Sequence, residues 1–123
     1  MNIRLAQWED TETICYLLKQ MGYSQPLKVV QEQFQILSKD PNAITLVAVD
    51  DLKVYGVLSL YFIPQIALQG DFAKICYLCV DEKMRSKGVG HLLVQEAERI
   101  AKQRGCDRME LHSGIQRPLA HQF

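Results

Sequence analysis

Apolar side chains recur along this chain with two periods, alternation in some segments and every third or fourth position in others. Alternation is typical of half-buried strands, and the longer period is typical of amphipathic helices. One strand, two helices, three strands, a helix, a fifth strand and the start of a further helix are predicted in that order. We predict strands over about residues 2–6, 43–49, 54–63, 75–80 and 108–112, and helices over about residues 10–21, 26–39 and 89–104.

Two local features refine this pattern. Asp50 and Asp51 separate two strand-like segments and predict the turn of an antiparallel hairpin. The second helix opens at Pro26 and is expected to direct an apolar stripe inward. The members of that stripe are Val29, Val30, Phe34 and Leu37.

The most informative segment begins with residues 75–80, which are apolar at every position, as in a strand buried on both faces. A polar turn and a glycine-bearing loop follow, and the loop feeds an amphipathic helix. Unpaired N–H groups and the helix dipole favour an anion at such a helix start, and Gly88 and Gly90 let the backbone approach it closely. The loop is Arg85-Ser86-Lys87-Gly88-Val89-Gly90, and the inward helix positions are Val89, Leu92, Leu93, Ala97, Ile100 and Ala101.

This order of apolar strand, polar turn, R-x-x-G-x-G and amphipathic helix resembles the GNAT superfamily of acyl-CoA N-acyltransferases, which bind the pyrophosphate of acetyl-CoA with this loop. Residues 111–123 look like the fifth strand and the following helix start of bacterial members. The resemblance implies one α/β domain of the α+β kind over residues 1–123, with a mixed, mostly antiparallel sheet flanked by helices. It also implies transfer of the acetyl group of acetyl-CoA to a primary amine by direct attack in a ternary complex.

The resemblance carries over to individual residues. The pantetheine arm of acetyl-CoA is expected along Leu78, Cys79 and Val80, in a strand that splays from its neighbour. The coenzyme-binding loop residues would be Arg85, Ser86, Lys87, Gly88, Val89 and Gly90.

A general base must accept the proton of the attacking amine. Glu82, Glu110 and His112 are the candidates, and His112 has the most suitable intrinsic pKa. Each has an alternative structural or solvent-exposed role, which for His112 is a hydrogen bond at the end of a strand. Aromatic residues that could line either an acceptor pocket or the core are Tyr61, Phe62, Phe72 and Tyr77.

The last residue, Phe123, falls where relatives continue into a helix with a tyrosine that can protonate the CoA thiolate. The resemblance therefore indicates a domain truncated after the fifth strand. An open strand edge would follow, and we expect a homodimer to cover it.

Size and charge narrow the function further. The 123 residues suffice for one small domain, and 14 basic residues balance 14 acidic ones, so no overall attraction to nucleic acid or membrane is expected. No segment approaches the about 18 apolar residues of a membrane span, and the start lacks a signal peptide's apolar core. These features predict a cytoplasmic protein.

The four cysteines are too few and too scattered for a disulfide framework. Cys76 and Cys79 form a C-x-x-C, but strict alternation would send them to opposite faces of a strand. We therefore interpret the cysteines as packing thiols and predict no metal site.

Two other functions remain open. Gly88 and Gly90, with Glu110 about 20 residues later, partly match a dinucleotide-binding motif, although Leu93 replaces its third glycine. A catalytically impaired domain that only binds acyl-CoA or a protein partner is the second alternative.

Overall fold

The computed structural model of the chain describes residues 1–111. The strands are β1 (Asn2–Leu5), β2 (Ala43–Asp50), β3 (Lys53–Ile63), β4 (Phe72–Val80) and β5 (Arg108–Leu111). The α-helices are α1 (Thr11–Gln20), α2 (Leu27–Ser38) and α3 (Val89–Arg104), and short 3₁₀ turns cover Trp8–Asp10 and Glu82–Met84.

The strands form one sheet in the order β1-β2-β3-β4-β5, antiparallel at every pairing except the parallel one between β4 and β5. This confirms the predicted mixed, mostly antiparallel α/β fold. The β2–β3 hairpin turns at Asp51 and Leu52, one residue later than predicted, because Asp50 pairs with Lys53. Both turn residues have positive φ, 49° and 68°, as a type I′ hairpin turn requires.

The two faces of the sheet carry separate cores. The larger core joins α3 to one face and includes Phe62 and Leu93, both without solvent exposure. The smaller core joins α1 to the opposite face and includes Leu17 and Val57. Since α2 packs beside α1 and β2, the second face is covered by two helices of unequal burial.

Two predictions about buried faces are wrong in part. No residue of α2 is fully buried, and Val29 is 37% exposed. The stripe of α2 lines an open cavity, and of its members only Val30 also packs against the smaller core. In α3, Leu92 is 36% exposed, and Leu93 takes the buried position beside it.

An ion pair fixes the start of α1 to β1. The Arg4 guanidinium donates two hydrogen bonds to the Asp10 carboxylate, at 2.7 and 3.0 Å, and the Gln7 N–H donates a third at 2.7 Å. Burial raises the pKa of Asp10, but these hydrogen bonds outweigh it and hold that pKa below its usual range. The charged carboxylate therefore stabilises the junction between the first strand and the first helix.

A β-bulge interrupts β4. Ser59 pairs with Tyr77 and Leu60 pairs with Ile75, so Cys76 is an extra residue in β4. Ile75 packs in the core on the α3 face, whereas Tyr77 reaches the cavity on the α1 and α2 face. Tyr77 is 38% exposed, so β4 is not buried along its whole length on both faces as predicted.

The bulge also changes the interpretation of the cysteines. Strict alternation, which was expected to separate Cys76 from Cys79, is interrupted at Cys76 itself. None of the four cysteines forms a disulfide. Burial raises the pKa of the Cys76 and Cys106 thiols, which favours their protonated, unreactive form.

Within residues 1–111, no helix has both the length and the apolar character needed to cross a membrane. The same part of the chain contains no cluster of three or more His, Cys, Asp or Glu side chains that could hold a metal ion.

Candidate functional site

The loop between β4 and α3 has an unusual backbone. Ser86 and Gly88 adopt left-handed conformations, with φ of 66° and 84°. The helix begins at Val89, and its first backbone hydrogen bond runs from the Leu92 N–H to the Gly88 carbonyl. The N–H groups of residues 89–91 therefore precede the intrahelical ladder and point out of the helix start, where the helix dipole favours an anion.

The two glycines of this loop have different structural requirements. A side chain at Gly88 would meet no atom within 4 Å, so only the left-handed backbone calls for glycine there. Gly90 has no positive φ, and a Cβ there would meet Val80 and Leu78 side-chain atoms at 3.7 and 4.0 Å. The backbone conformation therefore calls for glycine at Gly88 but not at Gly90.

Arg85 points into the protein. Its Nε donates to the Val80 carbonyl at 3.2 Å, and its Nη2 lies 3.7 Å from Met21 Sδ. The half-buried guanidinium thus ties the loop to the end of β4 and to the end of α1, whereas Lys87 is exposed.

A second contact joins the start of the loop to α1. The Glu82 N–H donates to Gln20 Oε1 at 3.0 Å, and the Asp81 carboxylate accepts from the Lys83 N–H at 2.9 Å. Glu82 itself is exposed in the 3₁₀ turn. Through its N–H, Glu82 helps to hold the loop in place.

The strand β4 presents backbone groups at an edge. The N–H of Asp81, just after β4, donates to the Tyr55 carbonyl of β3. Successive residues of a strand direct their N–H and C=O groups to alternate sides, so those of Cys79 point to β3, whereas those of Leu78 and Val80 point to the other side. Among the described residues, the parallel pairing with β5 ends at Ile75. Within residues 1–111, no strand lies beside Leu78 and Val80 on the side to which their backbone groups point, whereas Cys79 directs its backbone groups to β3.

The predicted base residues are dispersed. Glu110 lies opposite Lys74 in β5 and is exposed, with its carboxylate 3.6 Å from Arg108. Glu82 lies beyond the other end of β4. His112 lies outside the described residues. The described part of the chain thus does not bring the acidic candidates together.

A cavity of about 520 Å³ lies between α1, α2 and the adjoining face of the sheet. Its described lining carries no Asp, Glu, Lys, Arg or His side chain. The aliphatic and aromatic wall comprises Ile14, Leu18, Val29, Val30, Phe34, Leu37 and Val57, and hydroxyl and amide groups come from Thr11, Ser24, Gln25, Gln33, Thr45 and Ser59. Gly22, Tyr23 and Tyr77 complete the described lining.

Two tyrosines of this cavity contact each other. The rings of Tyr23 and Tyr77 meet edge to face, with centroids 5.2 Å apart. Tyr23 is placed by the end of α1, where its N–H bonds to the Leu18 carbonyl and Gly22 adopts a φ of 95°. The glycine after α1 is the sequence signal for this turn, but our sequence reasoning did not identify Tyr23.

The other aromatic candidates lie elsewhere. Phe62 is fully buried beneath the Arg104 guanidinium, and Phe72 lies 4.6 Å from that of Arg108. The Tyr61 hydroxyl donates to Asp40 at 2.7 Å. Of the four candidates, only Tyr77 lines the cavity.

Comparison with known proteins places this architecture in a family. The model of the acetyltransferase (GNAT) family matches residues 4–123. The chain is 31% identical to the aminoalkylphosphonate N-acetyltransferase of Salmonella typhimurium, over 98% of this chain and 79% of that protein.

Solved structures agree on the fold. A crystal structure described as a transcriptional regulator from Bacillus halodurans has a TM-score of 0.85 at 28% identity, covering 97% of this chain and 85% of that one. The aminoglycoside 6'-N-acetyltransferase of Acinetobacter haemolyticus has a TM-score of 0.83 at 19% identity, covering 98% and 85%. The antiparallel β1–β4 order also differs from the parallel sheet of a dinucleotide-binding fold, so that alternative is wrong. This chain belongs to the GNAT acetyltransferase family.

Proposed function

We propose that this protein transfers the acetyl group of acetyl-CoA to a primary amine by direct attack in a ternary complex. The observation that carries the proposal is the start of α3, where outward N–H groups lie beside Leu78 and Val80, whose backbone groups point to a side without a strand in residues 1–111. Family membership supports N-acetyl transfer in general. The loop and the strand edge supply sites for the diphosphate and the pantetheine arm.

In this proposal the diphosphate lies at the N–H groups of residues 89–91, with Ser86 and Gly88 setting the curvature of the loop. Lys87 is exposed and adds a positive charge near the diphosphate. Arg85 acts chiefly by fixing the loop to Val80, because its guanidinium already donates there. The loop residues proposed from the sequence thus have two roles. Some would interact with the diphosphate, and the others hold the loop in its shape.

The pantetheine arm is proposed to form hydrogen bonds with the backbone of Leu78 and Val80, as an extra strand does when it adds to the edge of a sheet. The Val80 carbonyl already accepts from Arg85, so within residues 1–111 the N–H and C=O of Leu78 and the N–H of Val80 are the groups proposed to bond to the arm. One of these N–H groups would stabilise the oxyanion formed when the amine attacks the thioester carbonyl. The enzyme then acts mainly by orienting its two substrates.

The general base that accepts the proton of the amine is proposed from three candidates, Glu82, Glu110 and His112. Glu110 lies opposite Lys74, four residues before Leu78, or roughly 13 Å at the rise of a strand. Direct proton transfer needs a separation of about 3 Å, so Glu110 would require intervening water. We retain His112 as the proposed base, to be tested by substitution.

The homodimer also remains a proposal. Within residues 1–111, β5 pairs only with β4, and a second chain is proposed to lie along its other edge. Light scattering with size-exclusion chromatography tests this directly. A monomer at micromolar concentration would contradict it.

Release of the CoA thiol with a panel of primary amines tests the proposed reaction, and calorimetry with CoA measures binding separately. We expect tight CoA binding, weak NADH binding and amine-dependent thiol release. Tight CoA binding with no turnover for any amine would instead favour a non-catalytic acyl-CoA-binding domain. Absence of CoA binding would contradict the whole proposal.

A further inference from the structure

We propose that the amine acceptor is a monoamine carried on an alkyl or arylalkyl body, bound in the cavity between α1, α2 and the sheet. This inference rests on the proposed acetyl transfer and narrows its substrate class. Three observations carry it. They are the composition of the cavity wall, the position of the cavity next to the edge of β4 where the pantetheine arm is proposed to bind, and the contact between Tyr23 and Tyr77 beside that edge.

The wall of the cavity selects against charge. No ionisable acid, ammonium, guanidinium or imidazole group lines its described part, and α2 supplies apolar side chains such as Val30, Phe34 and Leu37. Within the described lining, an anionic group such as a phosphonate would lose its hydration without meeting a cation, and a polyamine would lose its hydration without meeting a carboxylate. An apolar body loses no such hydration and gains contact with the wall.

The wall is also unusual because nothing in the described chain fills it. The stripe of α2 has helical spacing, yet none of its members is fully buried. A volume of about 520 Å³ falls within the usual range for small-molecule sites, which are mostly apolar with a few polar groups. The cavity is therefore large enough for an amine with a phenyl or hexyl group.

The position of Tyr77 connects this cavity with the coenzyme. Tyr77 lines the cavity, and the next residue, Leu78, directs its backbone groups to the edge of β4 that faces away from β3. Tyr23 contacts Tyr77 at 5.2 Å, so two aromatic rings border the cavity where it approaches that edge. Ring faces attract an ammonium group, and the amine would be held near the thioester while its apolar body points toward α2.

The test is a comparison of kcat/KM for acetyl transfer to 2-phenylethylamine, hexylamine, 2-aminoethylphosphonate, spermidine and a tetrapeptide with a free N-terminus. We expect 2-phenylethylamine or hexylamine to exceed each of the other three at least tenfold. A phosphonate, polyamine or peptide that equals or exceeds both would overturn the inference while leaving acetyl transfer intact. If no amine is acetylated, the proposed function fails and the inference fails with it.

A charge placed on the wall provides a second test. Val29→Arg puts a cation at a position on α2 that lines the cavity and is already 37% exposed, so the fold should tolerate it. We expect a roughly tenfold fall in kcat/KM for 2-phenylethylamine and a rise for 2-aminoethylphosphonate. Ile36→Arg is the matched control, because Ile36 lies on α2, is 61% exposed and is absent from the described lining.

Stability and CoA affinity serve as controls for both variants, Val29→Arg and Ile36→Arg. Unfolding temperature and CoA affinity should match the parent protein in both, which shows that the fold and the coenzyme site are intact. Equal effects of Val29→Arg and Ile36→Arg on the ratio of the two amines would overturn the assignment of this cavity to the acceptor.

Discussion

Replacement of Gly88 by alanine tests whether the loop before α3 binds the coenzyme, because the free-energy cost of this substitution can be worked out from the structure. Gly88 has a φ of 84° and ψ of 5°, and an added Cβ would touch nothing within 4 Å. The cost is therefore conformational, about 1–2 kcal/mol for an L-residue in the left-handed region. Gly90→Ala is the matched control for stability, because its Cβ makes only ordinary contacts at 3.7 and 4.0 Å and its φ is not positive.

The conformational free-energy cost of Gly88→Ala can appear either as a loss of stability or as a loss of CoA affinity. If the loop keeps its shape, the free energy of unfolding falls by about 1–2 kcal/mol and CoA affinity is unchanged. If the loop relaxes, stability is retained and binding must restore the strained shape, which weakens CoA roughly 5- to 30-fold. The sum of the two losses should be about 1–2 kcal/mol in either case.

Urea denaturation gives the first quantity and calorimetry with CoA gives the second. Gly90→Ala should change the free energy of unfolding by no more than about 0.5 kcal/mol. The reasoning is refuted if Gly88→Ala leaves both quantities unchanged, or if Gly90→Ala destabilises the protein by more than the combined loss from Gly88→Ala.

Three further predictions concern the rest of the chain. Asp10→Asn should lower the free energy of unfolding by about 1–2 kcal/mol at pH 7, because it removes the charged partner of the partly exposed Arg4. The folded-state pKa of Asp10 is lowered, so the difference from the parent should shrink as pH falls below about 4, and a constant difference would contradict this. Gly70→Ala should cost more than 2 kcal/mol by urea denaturation, because its Cβ would overlap a backbone carbonyl at a φ of 93°, and a loss below about 0.5 kcal/mol would disprove it. Lys87→Glu should weaken CoA by roughly tenfold at low salt and less at high salt, whereas Lys83→Glu, exposed in the preceding turn, should have a smaller effect; equal effects would argue against diphosphate contact at Lys87.

Much of the fold could be predicted because its strongest signals are local. The order of strands and helices follows from periodicity, and glycines after α1 and α3 end those helices, with φ of 95° at Gly22 and 81° at Gly105. The loop before α3 was identifiable because a strand, a glycine pair and an amphipathic helix follow one another directly. These features depend on neighbours within a few residues along the chain.

Features that depend on distant contacts could not be predicted. The bulge at Cys76 depends on the register between β3 and β4, and it decides that Tyr77 faces the cavity. The stripe of α2 has the spacing of a buried face, and periodicity cannot distinguish a face that packs on a core from one that borders a cavity. The side chain of Arg85 turns inward because the Val80 carbonyl and the Met21 sulfur accept hydrogen bonds from its guanidinium. The R-x-x-G-x-G motif does not include these two acceptors, so this orientation could not be predicted from it.

Amide NMR during a CoA titration tests the central claim most directly, namely that the backbone at the start of α3 holds the coenzyme diphosphate. CoA should produce its largest amide shifts at Val89, Gly90 and His91, and pantetheine, which lacks the diphosphate, should leave these three amides nearly unchanged. Shifts of equal size with both compounds, or CoA shifts confined to residues remote from this loop, would contradict the account.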